Sequence, residues 1–141
     1  MRSFNLIYVA LFLALSGSLN AQTTFTINNM TNRELKVTAS MATASGSDCG
    51  VCQKTVCLTP NSPGNQLILG PDPICDKKGI ATICIVMPGG NCSDICDCVV
   101  IDLGGPCGGS TSGILNASGC TGCDSSIPIN VSISGNTITA T

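Results

Sequence analysis

Past a short apolar leader, apolar and polar residues alternate with a period of two. Phe25 and Ile27 alternate with Thr24 and Thr26. After the polar run NNMTNRE, Leu35, Val37, Ala39 and Met41 alternate with Lys36, Thr38 and Ser40. This pattern builds strands with one buried face, and two such runs about a polar turn predict an opening hairpin. Further strands are predicted over 52–58, 66–69, 81–86 and 98–103. Near the end, Ile127, Ile129, Val131 and Ile133 share one side, against Asn130, Ser132 and Ser134 on the other. Gly135 and Asn136 then mark a turn before a short strand over 137–141.

No stretch beyond the leader carries a helical period, and Gly and Pro punctuate the runs at Pro60, Pro63, Gly70, Pro71, Pro73, Pro88 and Gly104. The pattern predicts an all-β fold, a disulfide-braced antiparallel β-sandwich (Ig-like or related) of about seven to eight strands. The runs 81–86 and 98–103 are apolar on both faces, as central covered strands are. A cross-strand bridge between Cys84 and Cys98 fits them. From 104 to 126 the alternation gives way to GGPCGGSTSGILNASGCTGCDSS, a long Gly/Ser/Cys loop. A loop of that length is commonly functional, and its thiols would pin it down as an interaction surface.

The leader itself has three parts. Arg2 supplies the positive charge, residues 6–15 an apolar core, and small and polar residues lead to Ala21. This is the pattern of a cleavable signal peptide over 1–21, and its core is too short to span a bilayer. Residues 22–141 are then expected to form a single secreted domain, periplasmic, cell-surface or extracellular, with no membrane insertion after cleavage.

Removing the leader changes the chemistry that remains. Tyr8, Phe4 and Phe12 go with it, leaving Phe25 as the only aromatic residue, and five Lys/Arg face eight Asp/Glu. No basic stripe is left for nucleic acid, and no set of rings for stacking bases or sugars. The destination also decides how to read eleven cysteines: Cys49, Cys52, Cys57, Cys75, Cys84, Cys92, Cys96, Cys98, Cys107, Cys120 and Cys123. In an oxidising compartment they read as a disulfide framework of at most five bridges with one thiol over.

Other roles for the same residues fit less well. Cys49/Cys52 and Cys120/Cys123 have a zinc-ligand gap, and Cys92, Cys96 and Cys98 cluster, but the chain has no histidine. The CGVC run shares thioredoxin-type spacing, yet β-branched residues and Pro60 follow it where a helix N-terminus would be needed. Asp72, Asp76, Asp94, Asp97 and Asp102 offer calcium oxygens at spacings that match no known loop. The expectation is therefore no metal and no cofactor.

The run FTINNMTNRELKVTAS resembles the first hairpin of many small secreted β-sandwich proteins, including the opening strands of thaumatin-like proteins. A thaumatin-like protein would be longer, richer in aromatics and furnished with an acidic cleft, and this chain departs from it in all three. The leader ending in NAQ is similar to those of small exported proteins of the Bacteroidota, many of them cysteine-containing β-domains. That resemblance implies bacterial export and transfers no functional residue. Asn29, Asn91, Asn116 and Asn130 each begin an N-x-Ser/Thr triplet, a surface glycan acceptor in a eukaryotic secreted protein.

Catalytic groups are scarce. Glu34 is the only Glu, there is no His, and GSTSG places Thr111 where a nucleophile elbow needs Ser. No glycine cluster is followed by the Lys-Ser/Thr of a phosphate loop. The chain reads as no enzyme. It reads as a secreted non-catalytic binding or structural domain with an extracellular or cell-surface partner. Alternatives are a small effector or inhibitor acting through 104–126, or a polymerising surface subunit joined by the odd cysteine or a strand edge. The TITAT tail could form a flat ice-binding strand, although one short Thr ladder is ordinary strand composition.

Overall fold

The computed structural model describes residues 22–70, 72, 74–117, 123 and 127–141. The expected signal over 1–21 lies outside the described residues, as does Cys120. The strands are β1 (Thr23–Asn29), β2 (Leu35–Thr43), β3 (Val51–Leu58), β4 (Ser62–Leu69), β5 (Cys75–Val86), β6 (Ile95–Asp102), β7 (Ser112–Leu115), β8 (Ile129–Ser134) and β9 (Thr137–Ala140). No helix occurs among the described residues. The strands form a five-stranded sheet in the order β4-β1-β9-β8-β7 and a four-stranded sheet in the order β3-β2-β5-β6. Neighbours run antiparallel except β1 and β9, which are parallel.

One buried cluster draws on both sheets. Phe25, Ile27, Leu67, Leu69, Leu115, Ile129, Val131 and Ile138 come from the larger sheet, and Leu35, Val37, Met41, Ile83, Ile85 and Ile101 from the smaller. Phe25, the one ring among the described residues, is completely buried. Lys78 points its ammonium over that ring, 5.8 Å from the centroid. The same Nζ donates to Asn136 Oδ1 at 2.5 Å, in the β8–β9 turn. A flexible stem lets lysine cover apolar surface while its charge stays at the rim.

The expected opening hairpin does not form. β1 pairs with β4 and β9, whereas β2 pairs with β3 and β5, so the chain crosses between sheets at residues 30–34. A period of two sets which side of a strand is buried, not which sheet receives it. The crossing is held by Asn29, wholly buried. Its Nδ2 donates to the carbonyls of Arg33 (2.7 Å) and Thr59 (2.9 Å). Its Oδ1 accepts from the Thr31 N–H (3.1 Å) and hydroxyl (2.7 Å). Both ends of the amide are used, as burial requires.

Two further expectations change. Among the described residues nine strands form instead of seven to eight, because β7 lies inside the segment expected to be one loop. It is four residues long, too short to show a period. Gly113 lets it approach β6, since an added Cβ would stand 2.2 Å from Val99 Cγ2. And of the two strands expected to be covered on both sides, only β5 is central. β6 is an edge whose Val100 is 53% exposed.

The smaller sheet is bent around Ser40. The ladder shifts between Ala39 and Met41 on both of β2's sides, against β3 and against β5. The buried Ser40 hydroxyl lies 2.8 Å from the Cys49 carbonyl and 2.9 Å from that of Ile80, and donates to one at a time. Gly79 in the β5 bulge has backbone of Cys49, Met41 and Ser40 within 2.7–2.8 Å of where a Cβ would stand. In the β3 bulge the left-handed place falls to Cys52, with φ 49°. Such a bulge re-aims a side chain, and here it directs Cys52 toward Cys75.

Candidate functional site

Ten cysteines form five bridges, and the pattern of strands explains where. Cys49–Cys107 and Cys52–Cys75 close one end of the smaller sheet, with Cα separations of 5.8 and 6.4 Å. Cys57–Cys92 and Cys96–Cys123 close the other, each with Cα atoms 6.1 Å apart. The bridge expected between Cys84 and Cys98 is present, between residues directly opposite each other on β5 and β6 with Cα atoms 4.1 Å apart. That spacing is the close kind of antiparallel pair, the one without mutual hydrogen bonds. Every strand cysteine belongs to the smaller sheet. Cys96–Cys123 ties that sheet to the segment leading into β8.

The CGVC cysteines do not pair with each other; each bridges a distant partner. Cys52, Asp72 and Cys75 are the one close group of metal-ligand type among the described residues, and its two sulfurs are bonded to each other. Cys92, Cys96 and Cys98 go to three different partners.

Four of the five carboxylates considered for calcium, Asp72, Asp94, Asp97 and Asp102, hold backbone in place. Asp72 accepts from the Ile74 N–H (2.8 Å) and Asp94 from the Asn91 N–H (2.7 Å). Asp97 accepts from the N–H groups of Cys98 (2.9 Å) and Asn116 (2.7 Å), locking the end of β7 to β6. Asp102, buried, accepts from Gly104 (2.7 Å) and Gly105 (3.1 Å), so the turn after β6 closes on it. Asp48 does the same for Gly50 (3.1 Å). These are the ordinary uses of Asp in turns.

Three surface clefts are shallow. One of about 120 Å³ lies between Thr31–Arg33 and Ile127–Ile129 beside Thr141. One of about 230 Å³ runs from Asn32–Glu34 to Met87–Gly89. The third, about 310 Å³, opens beside Cys52, Lys54 and Asp72. Only this last reaches the lower bound usual for small-molecule pockets, roughly 300 Å³, and it is open on one side. No buried side-chain nitrogen or oxygen lacks a partner among the described residues.

Of the four N-x-Ser/Thr asparagines, Asn91, Asn116 and Asn130 are exposed, while Asn29 is sealed in the crossing turn. Around 104–117, one part of the expected 104–126 loop, Asp102 N–H donates to the Ser110 carbonyl (2.8 Å) and Cys107 is bridged. Residues 118–122 and 124–126 lie outside the described residues.

What remains is surface. The outer side of the larger sheet carries two cross-strand rows: Gln66–Thr26–Thr137–Ser134, and Asn28–Thr139–Ser132–Ser112. On the smaller sheet the matching rows are Cys57–Lys36–Cys84–Cys98 and Thr55–Thr38–Thr82–Val100. Alternation along the chain marks the polar halves of these strands only as the outer side. Their register across strands, which makes rows of them, is a property of pairing.

The chain matches no protein-family model, no curated protein and no solved structure.

Proposed function

We propose that residues 22–141 are a secreted, disulfide-braced β-sandwich of Ig-like or related type, acting without catalysis as an extracellular or cell-surface binding or structural domain. The observation that carries this reading is how the reactive side chains are spent. Ten cysteines are in bridges, and Asp48, Asp72, Asp94, Asp97 and Asp102 each accept backbone N–H groups in turns or at strand ends. A catalytic acid, base or nucleophile has to face a substrate with its proton or lone pair available. Two sheets contributing inward residues to one core support the sandwich, and five bridges match an oxidising destination. The resemblance of the leader to those of exported Bacteroidota proteins fits the same destination.

Strand-edge polymerisation is the less favoured alternative. Three of the four edges carry devices that discourage pairing: Pro63 in β4, Lys54 and a bulge in β3, and only four residues in β7. The test is a panel of hydrolase and thiol–disulfide exchange assays on the exported protein, with its intact mass before and after reduction. The expected result is no turnover, a mass corresponding to cleavage after Ala21, and a gain of ten hydrogens on reduction of the five bridges. Turnover that a single point substitution abolishes would overturn the reading.

A further inference from the structure

Alone, the TITAT strand is a single ordinary Thr ladder, and pairing alters its standing. β9 lies parallel to and in register with β1, placing Thr26 beside Thr137 and Asn28 beside Thr139. β1 carries its own T-x-T, Thr24 and Thr26, on the same outer side, since Phe25 and Ile27 point into the core. β8 extends the array with Ser134 opposite Thr137 and Ser132 opposite Thr139. β7 adds Ser112 opposite Ser132. One ladder has become a net of hydroxyls and amides over four strands.

The net has no charge. None of β1, β4, β7, β8 or β9 contains Asp, Glu, Lys or Arg, although these strands make the larger of the two sheets. The rest of its outer side is Thr24, Asn130, Ile68 and Ile114. Most protein surfaces mix charges of both signs. A neutral face of this extent suits a neutral partner, because a charged side chain would hold its own tight water shell against it.

We propose that this face binds ice. β-Strands set hydroxyls about 4.7–4.9 Å apart across the sheet and about 6.6–6.8 Å apart along it, a net of the same scale as the oxygen rows on a crystal face of ice. At Thr26, Thr137 and Thr139 a methyl group stands beside the hydroxyl, and β-branching limits χ1 there and presets those three side chains. Two other occupants fit less well. Sugar polymers are gripped by stacking on rings, and the single ring of residues 22–141, Phe25, is wholly buried. A second copy of the chain would need an apolar interface core, and the two central rows contain none. The proposal rests on the reading of the chain as a non-catalytic binding domain and names its partner.

The test uses the whole exported chain with its bridges intact, cooled with a slowly growing ice surface. The expected result is enrichment of protein in the ice and a gap between melting and freezing points. Thr139→Lys and Ser132→Lys, within the second row, should abolish both, with urea midpoints near that of the parent. Thr38→Lys, on the outer side of the smaller sheet, should leave both unchanged. Exclusion of the folded parent from ice overturns the proposal. So does loss with Thr38→Lys but not with Thr139→Lys, or retention on a neutral polysaccharide column that Thr139→Lys abolishes while ice enrichment is absent. Each of these leaves the non-catalytic reading standing, which only substrate turnover would remove.

Discussion

The two sheets share a core but solve different problems on their outer sides. The smaller sheet carries all the charged strand residues, Lys36, Lys54, Asp76, Lys77, Lys78, Asp97 and Asp102, and all the strand cysteines. Its ladder is broken by bulges on both sides of Ser40. The larger sheet has neither charge nor cysteine in its strands. Its one ladder irregularity lies between Ile27 and Asn29, where β1 nears the crossing turn. Bridges hold the sheet whose hydrogen bonding is interrupted. The sheet with continuous central pairing is held by Phe25, Ile138 and Val131 beneath it, and its outer side is left free. Covalent bracing on one side thus permits an uninterrupted neutral array on the other.

That contrast can be broken at several strengths. Full reduction should have the largest effect: the smaller sheet loses its staples, and unfolding should appear as loss of the far-ultraviolet β signal. Phe25→Ala comes next, at about 3–5 kcal/mol from the lost ring and the cavity left, read by urea denaturation with bridges intact. Replacing Cys49 and Cys107 together by Ala should cost about 4 kcal/mol, and replacing Cys84 and Cys98 about 3. The first bridge spans 58 residues of sequence and the second 14. Equal losses would show that the unfolded-chain constraint is not what these bridges supply. Asn29→Ala should cost about 2–3 kcal/mol, because the Arg33 and Thr59 carbonyls and Thr31 lose a buried partner. Ser132→Lys, on the exposed side of β8, should change stability by no more than about 0.5 kcal/mol. If it destabilised as much as Asn29→Ala, the larger sheet's outer side would be structural and not free.

Much of this was legible along the chain. The inward residues of β1, β2, β8 and β9 follow from alternation, and so does the bridge from Cys84 to Cys98, because both strands' apolar runs place a cysteine at the matching position. The Gly135–Asn136 turn was legible from its residues, and Gly135 is left-handed with φ 60°. β7 was not, because four residues such as SGIL carry too little pattern to separate a strand from a loop. The start of β5 was hidden as well. Asp76, Lys77, Lys78 and Gly79 carry no apolar alternation, yet Lys77 donates to the Ala44 carbonyl and Lys78 reaches across the core rim to Asn136.

For the candidate surface, sequence supplied the residues and withheld their arrangement. The Thr of TTFTINN and of TITA lie at opposite ends of the chain. Nothing local in either run says that they become neighbours.

What the sequence determined by itself is the class of the protein: strands by their period of two, and a cysteine framework by its count. Local chemistry suffices for these, since alternation acts within one strand. What only tertiary structure decided is who stands beside whom. It sent β1 and β2 to different sheets, gave Cys49 and Cys52 separate partners, and laid β9 parallel to β1. Those choices rest on long-range pairing, where backbone hydrogen bonds are alike for every register and burial on the far side selects among them. The neutral hydroxyl face is the product of that selection.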